Sequence, residues 1–219
     1  MSQPSAPSPT PPPATDIERL KLAVDTWKYV VSVQMHFNDM EMKIRNLYFT
    51  ILAAAIGAIG VVQGKIVEIP YLALQFSLAM IVLFTVIPVS ALFYFIDRHW
   101  YHRLLQASVI QGGAIENMYK TELPEIQLGN AISAASPLKF PGRFWRAAFF
   151  FIEEDNFRKH SRLHSDAKIE VLYKSVMWGA GTVGTIYALL KGVQIDGHPP
   201  IFLIAGAASV VCHWVLYGY

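Results

Sequence analysis

The chain is short of charge. Only 16% of its 219 residues are Asp, Glu, Lys or Arg, against about 25% in an ordinary soluble domain. That deficit points to a membrane protein. Cysteine is almost absent: Cys212 stands alone inside a hydrophobic run, which excludes an intrachain disulfide framework. The net charge of +2 is too small to argue for a nucleic-acid partner. No G-x-x-x-x-G-K-[ST] loop and no G-x-S-x-G elbow occurs, so neither phosphate-loop nor serine-hydrolase chemistry is indicated. No long apolar run has an acidic or basic residue near its middle, which disfavours a secondary transporter. Residues 2–14 (SQPSAPSPTPPPA) lack the apolar core of a signal peptide and read as an extended, Pro-rich, poorly ordered tail. No internal repeat is visible.

What the chain has is long uncharged runs. One lies between Arg45 and Lys65, a second from Ile69 to Ile96, a third from Ser175 to Leu190 and a fourth from Gly197 to Tyr219. A bilayer-spanning helix needs roughly 20 such residues, and unbroken runs of this kind do not alternate as barrel strands do. The expected fold is therefore all-α: a polytopic membrane protein with four transmembrane helices in two hairpins and long cytoplasmic helical extensions. Pro88 should kink the second span. Of all Lys and Arg residues, only Lys65 and Lys191 fall in the short loops within the hairpins. The positive-inside rule then predicts a multi-pass inner-membrane protein with both termini cytoplasmic. Small residues offer close-packing faces, Ala53, Gly57 and Gly60 in the first run and Ala180, Gly184 and Ala188 in the third. They fit packing within one chain or between copies, and a homo-oligomer is expected.

The expected segments are a disordered tail (1–14), a cytoplasmic amphipathic helix (15–45), the first transmembrane hairpin (46–97), a cytoplasmic helical region (98–174) and the second hairpin (175–219). Thr15 and Glu18 form a capping-box pattern. Leu20, Val24, Trp27 and Val31 recur at helical spacing, and this helix should continue into the first span. Residues 98–122 extend the second span inward, with Gly112 and Gly113 as a bend. Residues 123–143 read as loop with one short helix. Residues 144–160, rich in aromatics, suit a helix lying at the headgroup level or the core of a small cytoplasmic domain. Ser165 or Asp166 is the expected cap of the last extension.

Polar residues are densest at His36–Arg45, where Asn38, Glu41 and Arg45 share one helical face and Asp39 and Lys43 sit four apart. His99 and His102, and His160 and His164, are spaced to put two imidazoles on one face, a weak metal-ligand pattern that no Cys or H-E-x-x-H joins. His213 is expected to be hydrogen-bonded within the bundle. The candidate ligand or gating residues are Asn38, Glu41, Lys43, Arg45, His99, His102, Arg103 and Glu116. No catalytic residue is assigned and no cofactor is expected.

The stretches WKYVVSVQMHFNDMEMKIRN before the first span and HSDAKIEVLY before the third resemble small bacterial four-span membrane proteins found as effectors beside nucleotide-signalling defence genes, the SLATT and related groups. The resemblance rests mainly on topology and carries no motif with an assigned chemical role. It implies a non-enzymatic, oligomeric effector whose cytoplasmic cap senses a small molecule or protein and opens a pore or disrupts the bilayer. The alternatives are a membrane-embedded metal-dependent enzyme and a scaffold for another membrane protein.

Overall fold

The computed structural model describes residues 14–69, 74–139, 162–188, 190 and 193–195. Helix α1 runs without interruption from Ala14 to Val62, about 74 Å at 1.5 Å per residue. Its polar half and its apolar half are thus one rod. Thr15 already lies inside it rather than capping it. Gly64, at φ +81°, turns the chain just past the end of α1, a left-handed conformation that glycine adopts without steric cost.

The chain then forms a β-hairpin, not a helix start. Strand β1 (Ile66–Ile69) pairs antiparallel with β2 (Leu74–Ser77), Glu68 opposite Gln75, and Gln75 donates a 2.9 Å hydrogen bond to the Glu68 carboxylate. Helix α2 begins only at Leu78 and continues to Tyr94, with Pro88 inside it. A π-helical turn, Phe95–Tyr101, leads directly into α3, His102–Met118. A short α4 (Leu128–Ala135) follows, then a two-residue pairing of β3 (Leu138–Lys139) with β4 (Arg162–Leu163). Helix α5 is Ser165–Tyr187, preceded by His164 at the cap position, with no side-chain cap bond. Strand β5 (Val193–Ile195) adds antiparallel to β2, giving a sheet ordered β1-β2-β5.

The expectation of an all-α chain with four transmembrane helices in two hairpins does not hold. Among the described residues, two helices are long and apolar enough to cross a membrane, within Asp16–Val62 and within Leu78–Met118. The third run falls on α5, which also carries Asp166, Lys168, Glu170 and Lys174. These charges dilute its hydropathy, which counting only the uncharged stretch overlooks. The start of the second run is strand rather than span. The fourth run, with Cys212 and His213, lies outside the described residues, as do residues 1–13 of the Pro-rich tail and the aromatic stretch 144–160; Ala14, the last residue of the expected tail, opens α1.

The core forms where α1, α2 and α5 meet. Tyr48, Ile87, Tyr94, Ile169, Tyr173 and Met177 are buried against one another, and the rings of Tyr48 and Tyr173 have centroids 4.7 Å apart. The two small-residue faces fare differently. A Cβ on Gly184 would meet Phe84 Cζ at 3.4 Å and Leu83 Cβ at 3.6 Å, so this face packs on α2. Gly57 and Gly60 meet nothing within 4 Å among the described residues.

Gly112 does not bend α3; it lets α3 approach α1. A Cβ there would lie 2.7 Å from Gln34 Nε2 and 3.5 Å from Val30 Cγ1, and Gln34 Nε2 donates a 2.9 Å bond to the Ser108 carbonyl. Gly112→Ala should be nearly neutral, because the helix-propensity gain of about 1 kcal/mol offsets the displacement of one flexible side chain. Gly112→Leu should destabilise by about 1–3 kcal/mol through overpacking. Thermal unfolding followed by circular dichroism checks the pair; equal midpoints would contradict the close-approach role.

Candidate functional site

An antiparallel helix pair brings the end of one apolar stretch beside the start of the other. Arg45 is the last charge before the uncharged stretch of α1, and Asp97 is the first after that of α2. The structure joins them. Arg45 Nε donates to Asp97 Oδ2 at 2.8 Å and Arg45 Nη2 to Asp97 Oδ1 at 3.1 Å, the planar two-point geometry a guanidinium makes with a carboxylate. Arg45 Nη2 also donates to Glu41 Oε2 at 2.8 Å, one turn back on α1. The Tyr173 hydroxyl, from α5, donates to Asp97 Oδ2 at 3.0 Å.

His102 extends the network. Its Nδ1 lies 3.0 Å from Glu41 Oε1, and its Nε2 lies 2.7 Å from Asp166 Oδ1 on α5. That second approach is off the N–H direction, so it is a charge contact rather than an aligned hydrogen bond. Asp166 Oδ1 also receives Arg98 Nη1 at 2.6 Å and Gln106 Nε2 at 2.8 Å. Asp97, Glu41 and His102 are 0%, 2% and 4% exposed. Burying such charges is costly unless each has a partner, and here three carboxylates face Arg45, Arg98 and His102.

The π turn makes this arrangement possible. The His102 backbone N–H bonds to the Asp97 carbonyl, five residues back, the wide π spacing. Residues five apart thereby come round toward one side, so Asp97 and His102 both reach α1. The α-helical spacing read from the sequence instead grouped His99 with His102. His99 stands against the rings of Tyr94 and Phe95, each 5.7 Å away between centroids. Among the described residues no group of three or more His, Cys, Asp or Glu is placed to hold a metal. His160 lies outside the described residues.

The other candidates separate. Asn38 lines a pocket of about 260 Å³ together with Glu41, Arg45, His102, Ser165 and Lys168. Lys43 and Arg103 are exposed. Glu116 is buried elsewhere and acts as a brace: it accepts Trp27 Nε1 at 3.0 Å, Gly129 N at 2.7 Å and Asn130 N at 2.9 Å. It thereby satisfies the free amides that open α4 and ties them to α1. Burial opposes its charge, but the Asn130 and Gly129 amides and the Trp27 indole outweigh this and hold its carboxyl below the usual range.

Asp97, Asp166, Arg98, Tyr173 and Lys168 were not among the sequence candidates. For Asp97 the signal was present, since it and Arg45 bound the same end of two antiparallel runs. Asp166, with Ser165 the expected cap of this helix, turns its carboxylate to α3 instead.

No protein-family model, curated protein or solved structure matches the chain. The resemblance read from the sequence therefore extends no further than a mainly helical fold with two apolar helices among the described residues.

The network sits just beyond the uncharged stretches of α1 and α2. Burial alone would lower the His102 pKa, but Asp166 and Glu41 outweigh it and raise it from 6.5 to about 9. His102, first of several causes, holds the Asp166 carboxyl well below its usual range. A raised His pKa contributes stability in full below the unfolded value near 6.5 and loses it as pH rises through about 9. The depressed Asp166 contributes above its ordinary 3.8 and loses stability as pH falls below that. The melting temperature should therefore fall between pH 6.5 and 9.5, and His102→Gln should flatten that fall; parallel profiles would contradict the role given to His102.

Proposed function

We propose that this protein is a membrane-embedded, non-enzymatic sensor-effector, whose ionic network transmits events on its cytoplasmic face to its apolar helices. One observation carries the reading: a single buried network joins α1, the π turn, α3 and α5 at the level where the uncharged stretches of α1 and α2 end. A network placed there senses any displacement between those helices. Breaking a buried pair by removing one partner costs about 3–5 kcal/mol, enough to shift a population between two packings.

The distribution of Lys and Arg supports a cytoplasmic placement for the charged half of α1 and for α3, with the β1-β2 hairpin on the opposite face. The continuous α1 supports mechanical coupling, because a rod of about 74 Å moves as a unit. In an oligomeric inner-membrane effector of this design, a small molecule or protein bound at the cytoplasmic side loosens the network and alters membrane permeability. The Gly57 and Gly60 face, which meets nothing within 4 Å among the described residues, is compatible with packing between copies.

The test is dye release and conductance in liposomes holding the full-length chain, with Glu41→Gln and Asp97→Asn compared with the native protein. Each removes one negative charge from a cationic partner, so each should change basal leak by about tenfold or more. Folded variants with native permeability would overturn the coupling reading. Mass measurement of the detergent complex tests self-association, and a monomer would remove the oligomeric part.

A further inference from the structure

The pocket beside the network has a chemistry of its own. Its polar lining is Asn38, Glu41, Arg45, His102, Ser165 and Lys168, and one wall is apolar: Leu105, Ile169 and Leu172. Arg45, Arg98 and His102 balance the carboxylates of Glu41, Asp97 and Asp166. Lys168 is then the additional cation, and the bond its Nζ makes is to a neutral group, the Ser136 carbonyl, at 2.7 Å. An ammonium has three donors, so that bond leaves it capacity toward the pocket. With His102 protonated, the described groups at this site sum to one positive charge in excess.

We propose that this pocket binds a singly charged phosphodiester attached to an apolar group, the chemistry of an anionic phospholipid headgroup. One negative charge restores neutrality in a site where uncompensated charge is costly. Lys168, the Ser165 hydroxyl and the Asn38 amide are the donors that address the phosphate oxygens, and Leu105, Ile169 and Leu172 receive the apolar part. Arg45 directly precedes the uncharged stretch of α1, so the pocket stands at the headgroup level of a bilayer that this stretch crosses. This identification rests on the membrane-sensor reading for its position and names the ligand class of that site. It also supplies a means of control. A phosphate entering the pocket competes with Glu41 for Arg45 and His102, and so acts on the contacts that tie α1 to α3 and the π turn.

The experiment is native mass spectrometry of the delipidated full-length chain in neutral detergent, titrated separately with phosphatidylglycerol, phosphatidylcholine and glycerophosphoglycerol, the water-soluble diester headgroup without its acyl chains. One phosphatidylglycerol per chain should bind about tenfold more tightly than phosphatidylcholine, whose added cation cancels the required charge. Lys168→Glu should remove that preference, and so should Asn38→Asp, an exposed position with no side-chain hydrogen bond among the described residues. Lys21→Glu, an exposed change on α1 remote from the pocket, should leave it intact. Comparable binding of glycerophosphoglycerol with the same dependence on Lys168 and Asn38 would assign the site to a free phosphodiester and overturn the lipid source. Equal retention of the two lipids, or a preference untouched by Asn38→Asp in a folded protein, would overturn the site altogether. Selective lipid binding beside unaltered permeability in Glu41→Gln and Asp97→Asn would keep the ligand and discard the coupling. The reverse pattern would keep the coupling and discard the ligand.

Discussion

The bidentate pair between Arg45 and Asp97 is the contact on which the rest of the arrangement depends. Asp97 is wholly buried, and a carboxylate in that position is tolerable only because a planar guanidinium and the Tyr173 hydroxyl saturate it. Arg45 in turn fixes Glu41, and Glu41 fixes His102. Each member would be a costly buried charge alone. Together they set the register of α1 against the π turn and α3, and through Asp166 and Tyr173 the position of α5.

The apolar core and the polar network are adjacent layers of one structure. Tyr173 belongs to both: its ring packs on Tyr48 and Tyr94 while its hydroxyl donates to Asp97. Tyr48 likewise sends its hydroxyl to Ser90 Oγ at 2.8 Å. Aromatic side chains with a polar tip suit the border between an apolar and a charged layer. At the other end of α2, the sheet built from β1, β2 and β5 links the segments that follow α1 and α5. The helices are thus constrained at both ends, by charge pairing at one and by strand pairing at the other. Glu116 adds a third restraint, fastening α4 to Trp27 of α1.

Much of the helical framework was legible along the chain. The unbroken α1 followed from helical spacing running into an apolar stretch, and the one short helix expected within 123–143 is Leu128–Ala135. Asn38, Glu41 and Arg45 were placed on one face by the 3.6-residue repeat, and they do line one pocket. The failures have definite causes. Counting uncharged residues merged β1 and β2 with a span, since apolar strand and apolar helix look alike over a few residues. The same count credited α5 with a span that its four charged residues oppose. Reading His99 and His102 as a pair assumed an α-helical turn where the turn is π.

Composition and periodicity are local properties, and along this chain they specify the long helices, the scarcity of charge within their apolar stretches and the charges at their borders. Which of those charges meet depends on how the helices pack. Asp97 and Asp166 are 69 positions apart in the chain and both belong to one network with His102. Their convergence follows from a five-residue backbone bond and from three helices packed together, neither of which a linear pattern encodes. Charge pairing acts across space, and its partners were set by where the helices lie.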